Sequence, residues 1–337
     1  MREHRRWVTM AEVAQEARVS TITVSRVIRT PEKVAAETRA KIQAVIDRLG
    51  YVPNEGAGDL SSRQNRSVAA LIPTLTGSAF TSTIDGLSTR LRAANHQLLF
   101  ACTDYSSGKE EDFIATMLRR RPAGLVLTST HHTREADALL QGCGIPVVEV
   151  WELPKVAQHH AVGFSNHDAG FAMVRFLHEL SYRRVGFVGN SKTSIRSRQR
   201  FIGYQAACRE FGSGVFRKIA DTKKGPNNSE RGAQEFAALI EQWPDTDAVF
   251  CASDTLALGA LSEAQRRGLK VPDDIAIAGF GDFEFANEFG VGLTTVRIPG
   301  FEIGELAAQL ILNHDDYDQK EMQKIDVGYE IIRRRTA

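Results

Sequence analysis

The sequence predicts an α/β protein in unequal parts: a three-helix domain over residues 1–54, a linker over 55–66, and a large core of doubly wound parallel sheets over 67–337. Three observations carry this expectation. Helix-start and helix-stop signals recur at short intervals between Thr9 and Gly50. A small, polar, glycine-containing run from Glu55 to Arg66 follows. From Ser67 onward, continuous apolar runs of strand length alternate with helical periodicity, the pattern of a parallel sheet covered by helices on both faces.

In the N-terminal part, Thr9-Met10-Ala11-Glu12 fits a capping box, so a helix starts at Met10 and turns Val13, Ala14 and Ala17 inward. It stops near Val19, where Ser20 caps a second helix from Thr21 to about Ile28. Two short helices joined by a tight turn form a helix-turn-helix, whose second helix enters the major groove of double-stranded DNA with its first residues toward the bases. Thr21, Ile22 and Arg26 occupy those positions, and the hydroxyls of Thr9, Thr23, Ser25 and Thr38 suit phosphate contacts. A third helix over about 35–49 repeats apolar residues at Ile42, Val45, Ile46 and Leu49, and Gly50 ends it as a left-handed cap. The first 66 residues carry twelve Lys and Arg against eight acids, although the whole chain has a net charge of only +1. The basic excess is local, where a phosphate-facing surface needs it.

Strands are expected at 68–72, 98–101, 125–127, 147–150, 185–188, 249–251 and 275–278, all buried. Helices are expected at 84–94, 112–119, 171–180, 199–211, 234–243, 256–267 and 303–312. The four cysteines are scattered, which argues against a zinc site or a disulfide framework. There is no membrane-length apolar run and no signal-peptide pattern, so a cytoplasmic protein is expected. No G-x-G-x-x-G follows the first core strand, and no Walker loop or nucleophile elbow occurs. An enzyme is therefore not expected, nor a cofactor.

The joint occurrence of Val13-Ala14, Val19-Ser20, Thr23-Val24-Ser25-Arg26-Val27, Thr38-Arg39-Ala40-Lys41-Ile42 and Leu49-Gly50-Tyr51-Val52-Pro53-Asn54 resembles the lactose/galactose-repressor family of bacterial transcription regulators. The resemblance continues through the core. It implies a homodimer on a palindromic operator, with Ser20, Tyr51 and Asn54 joining the DNA-facing set and Leu60 wedging into the minor groove. It also implies a core of two lobes like periplasmic sugar-binding proteins, here about 67–161 plus 291–320, and 162–290 plus 321–337. His132-Thr133, Val147-Val148-Glu149 and Gly279-Phe280-Gly281-Asp282 are similar to gluconate-operon repressors, implying a sugar-acid effector.

Ligands of open α/β sheets sit at the carboxyl ends of strands. There the candidates are Thr76, Ser78 and Phe80, then His132, Glu149 and Trp151, then Arg196, Arg200, Asp254 and Asp282. Arg200 stands three residues before Gly203-Tyr204, the spacing of an effector-binding arginine in the resembled family, and it is the expected clamp for a carboxylate or hydroxyls, with Arg196 beside it, because a guanidinium fork can hold two oxygens at once. Several candidates have a second reading. Asp254 is a ligand or a helix cap, Trp151 a stacking surface or a core residue, and His132 a polar lining or part of a solvated loop. The pairs His131-His132 and His159-His160 lack acid or thiol partners at ligand spacing, so no metal is expected. Arg333-Arg334-Arg335 reads as a solvated tail.

Overall fold

A computed structural model describes residues 7–53, 65–75, 79–192, 195–212, 216–220, 228–287, 292–314 and 321–337. The chain divides into two compact units, Met1–Asn65 and Arg66–Ala337. In the first, α1 (Met10–Ala17), α2 (Thr21–Arg29) and α3 (Ala36–Leu49) close over Val13, Ala14, Ala17, Val24, Val27, Ile42 and Val45. The capping box forms, with the Glu12 N–H donating to the Thr9 hydroxyl and Glu12 accepting from the Thr9 N–H. Ser20 caps α2 and Gly50 takes φ +63° after α3. A 3₁₀ turn at Pro31–Lys33, absent from the sequence expectations, links the last two helices.

The second unit holds two sheets. The first has the order β10-β5-β4-β3-β1-β2, made of β1 (Ser67–Ile72), β2 (Gln97–Cys102), β3 (Gly124–Leu127), β4 (Val147–Val150), β5 (His160–Gly163) and β10 (Lys324–Asp326), all parallel. Its helices are α4 (Phe80–Ala93), α5 (Ser107–Leu118), α6 (Arg134–Gly142) and, late in the chain, α11 (Gly300–Leu312). Alternate residues of β1 serve opposite faces: Val68, Ala70 and Ile72 join the large core, while Ala69 and Leu71 join a second cluster under Ile114 and Leu140. Both faces are covered, which is why the run is continuously apolar.

The second sheet pairs β6 (Val185–Val188), β7 (Ala248–Cys251) and β8 (Ala276–Ala278) in parallel. It is surrounded by α7 (Asn166–Glu179), α8 (Ile195–Glu210), α9 (Ser229–Gln242) and α10 (Asp254–Arg266). Bridges from Ala278 to Thr294 and from Gly281 to Arg297 attach β9 (Thr295–Arg297), which pairs antiparallel with β11 (Glu330–Ile332).

Strand pairing corrects several expectations. Residues 295–297 belong with the second lobe rather than the first, and 324–326 with the first rather than the second. The lobes are thus exchanged near residues 164, 298 and 328. β2, expected buried, is an edge strand with Phe100 45% exposed. Helix α6 and the strands β5, β9, β10 and β11 were not anticipated. Arg334 is no solvated tail residue: its guanidinium holds Asp282 at 2.7 Å and donates to the Leu293 carbonyl.

Candidate nucleic-acid interface and effector cleft

Helix α2 buries Val24 and Val27, and this fixes which residues face outward. Thr21 and Arg26 are exposed and Ile22 is 63% exposed, a bulky apolar side chain held in solvent at the start of the helix. Thr23, Ser25 and Thr38 are half-buried. Thr9 and Ser20 sit at the starts of α1 and α2, where unpaired backbone N–H groups favour anions such as phosphate. Tyr51 is buried in the three-helix core, with its hydroxyl pKa raised by desolvation, so its ring packs the domain. Asn54 and Leu60, together with Thr76 and Ser78 of the core, lie outside the described residues.

In the core unit, a cavity of about 210 Å³ opens at the carboxyl ends of β1, β2 and β3. Leu71, Pro73, Thr103, Thr128, Ser129 and His131 line it from the strand ends, Tyr105, Ser107 and Glu110 from the start of α5, and Ile195 and Arg196 from the second lobe. The volume is below the ~300–1,000 Å³ of drug-sized pockets, so it suits a small ligand.

Arg196 reaches across from α8, donates to the Thr128 carbonyl, and lies over the Phe80 ring at 5.1 Å. Arg200, one turn further along, is deeper. Its Nε donates to Asn166 Oδ1 at 2.8 Å, its Nη1 donates to the Ala252 carbonyl at 2.7 Å, and it stacks on Phe280 at 3.6 Å. Both guanidiniums are buried, and burial pulls both pKa values down, that of Arg200 to about 9 with the repulsion of Arg196 added. Glu152 supplies the nearby carboxylate, bonded to Asn166 at 2.7 Å, and desolvation pushes its pKa up to about 7. Burial thus acts against the charged form of all three groups.

The remaining candidates fall into different surroundings. Phe80, Trp151, Phe164 and Phe280 form a chain of ring contacts running under the two arginines. Trp151 is 2% exposed and its indole N–H donates to Thr83 at 2.9 Å, the geometry of a core residue. Asp254 is fully buried, accepting from the Thr295 hydroxyl and the Phe283 N–H; the cap of α10 is Ser253. Desolvation raises the Asp254 pKa to about 6. Asp282 is bracketed by Arg297 at 2.6 Å and Arg334 at 2.7 Å, so it braces the second lobe. Gly281, at φ +129° with the Phe283 ring against it, leaves no room for an aspartate there.

His132 and Glu149 do not line the cavity. The imidazole is buried with Nδ1 2.8 Å from Glu110 and Nε2 3.3 Å from Glu149, which corrects both readings of it, as a ligand lining and as part of a solvated loop. Sequence reasoning missed Tyr105, Glu110, Thr128, Glu152 and Asn166. The strand-end rule pointed at three of them, since Thr128 directly follows β3 and Tyr105 and Glu110 lie within a turn or two of the end of β2.

Residues 9–54 match the family model described as bacterial regulatory proteins of the lacI family, and 174–337 match a periplasmic binding protein-like domain. The HTH-type transcriptional regulator GntR of Pseudomonas aeruginosa is 34% identical over 329 residues, covering 98% of this chain and 95% of that protein. The HTH-type transcriptional regulator IdnR of Escherichia coli is 31% identical over 339 residues, 100% of each. A LacI-family regulator from Silicibacter pomeroyi superposes with TM-score 0.87 at 32% identity, covering 98% of this chain and 99% of that one. The lac repressor dimer bound to operator shares the fold, with TM-score 0.83 at 22% identity over 98% and 99% of the two chains. The chain belongs to the LacI family of bacterial regulatory proteins, and it is a DNA-binding transcriptional regulator rather than an enzyme.

Proposed function

We propose that this regulator is a cytoplasmic repressor of sugar-acid utilisation genes, of gluconate type, that binds a palindromic operator as a homodimer and leaves it when a small sugar acid enters the cleft. Arg196 carries this reading in place of Arg200, whose guanidinium is taken up by Asn166, the Ala252 carbonyl and Phe280. It is a buried guanidinium at the wall of a small cavity, with Arg200 behind it and the carboxylates of Glu152 and Glu110 acting on it. An incoming carboxylate gives Arg196 a charged partner inside the cavity, which a neutral sugar does not supply. The hydroxyls of Tyr105, Ser107, Thr128 and Ser129 suit a polyol chain. The resemblance to gluconate-operon repressors points the same way.

Arg196 also bonds to Thr128 and Phe80 of the other lobe, so a ligand that competes for it changes a contact between the lobes. A differential contact of about 1.4 kcal/mol shifts operator affinity tenfold. On the DNA side, Thr21, Ile22 and Arg26 read bases, while Thr9, Ser20, Thr23, Ser25 and Thr38 hold phosphates, with Asn54 and Leu60 extending the contact.

Calorimetry with gluconate and glucose tests the effector assignment. Gluconate binds, glucose does not, and Arg196→Ala abolishes the heat. Tight binding of glucose or of a purine, unchanged in Arg196→Ala, contradicts it.

A further inference from the structure

The cavity has a second charged wall. Glu110, in the first turn of α5, lines it together with Arg196, with a side chain only 12% exposed. Its carboxylate is not loose: Oε1 lies 2.8 Å from Nδ1 of His132, and the other ring nitrogen of His132 lies 3.3 Å from Glu149 on β4. Both ring nitrogens face carboxylate oxygens, an arrangement that suits the imidazolium, which donates from both nitrogens. Two carboxylates and one imidazolium leave one negative charge on this side. The hydrogen bond from Thr133 to Glu111 at 2.7 Å ties the same loop to α5 a second time. Glu110 is thereby fixed at the wall and cannot swing away from a ligand placed against it.

We propose that Glu110, positioned by His132 and Glu149, is a specificity-determining residue that admits sugar acids with one anionic end and rejects those with two. This deepens the sugar-acid reading and rests on it. A monoacid places its carboxylate at Arg196 and an uncharged hydroxyl end at Glu110, where a hydroxyl can donate. A diacid or a phosphorylated acid of the same length brings a second anion against a fixed, largely buried carboxylate, where like charges repel more strongly than in open solvent. His132 touches neither end of the ligand; it acts through Glu110.

The test measures gluconate, glucarate and 6-phosphogluconate on the full-length protein by calorimetry, then on Glu110→Gln, on His132→Gln and on the double variant, with melting curves as the check of folding. The wild-type protein is expected to prefer gluconate over the two dianionic acids by at least on the order of tenfold. Glu110→Gln narrows that gap severalfold. His132→Gln narrows it too, and adds nothing in the double variant, a coupling that a merely structural residue does not show. Equal affinity of the wild-type protein for gluconate and glucarate overturns the proposal even if every variant misfolds, and so does a gap unchanged in a folded Glu110→Gln. If no sugar acid binds the wild-type protein at all, the effector class falls and this proposal falls with it.

Discussion

His132 holds its charge in a place that ought to remove it. Burial disfavours the imidazolium, but hydrogen bonds to Glu110 and Glu149 outweigh that, and the pKa stands at about 9 against an ordinary 6.5. A group whose pKa rises on folding contributes stability that is complete below the unfolded value and is lost as pH climbs through the folded one. The shift corresponds to about 3 kcal/mol. Chemical denaturation of the wild-type protein is therefore expected to show falling stability from pH 6.5 to 9, and His132→Gln to remove most of that slope. On the DNA side, Arg26 is exposed on a helix anchored by Val24 and Val27, so its removal leaves the fold intact. Arg26→Ala is expected to cost ~1–3 kcal/mol at a specific operator and little on random DNA, as measured by fluorescence anisotropy. Equal losses on both would remove Arg26 from base reading.

At the scale of elements, the close crossing of α7 and α8 sets where Arg196 and Arg200 stand. Gly203 lies against the backbone carbonyl of His167, and a Cβ at that position would collide with it. Gly203→Ala is expected to destabilise the protein by ~1–3 kcal/mol, read as a lower melting temperature, with a weaker effector response because α8 carries both arginines. Much of this architecture was legible. β1, β3, β6, β7 and β8 are buried on both faces and so read as apolar runs, and β4 does too apart from Glu149. β9, β10 and β11 are three residues each, and β5 opens on a histidine, so none gives an apolar run long enough to notice. The α6 sequence buries only Ala136 and Leu140, too little for a periodic signal. Site residues were harder. Arg196 and Arg200 lie within one helix at a recognisable spacing, whereas Glu110, His132 and Glu149 come from three separate elements and meet only once the strand register is fixed. The packing role of Tyr51 was hidden for a related reason: in the sequence it adjoins the expected DNA-facing residues, and only the folded domain shows its ring in the core.

At the scale of the whole molecule, the proposed switch requires a dimer. The exposed edge strand β2, with Phe100 45% exposed, and Phe301 of α11, 39% exposed, leave apolar surface on the first lobe that suits a second copy. Sedimentation at micromolar concentration is expected to give a dimer, and Phe100→Ser to weaken it. A dimer presents two helix-turn-helix domains to a palindrome, and each core can respond to its own ligand. The central claim is that a sugar acid held at Arg196 lowers operator affinity. Titrating a labelled palindromic operator with this regulator, with and without saturating gluconate, measures that coupling directly. The account predicts operator affinity at least about tenfold weaker with gluconate, corresponding to about 1.4 kcal/mol, and no such shift in Arg196→Ala. Identical operator affinity with and without gluconate, in a protein that calorimetry shows to be gluconate-bound, would contradict it.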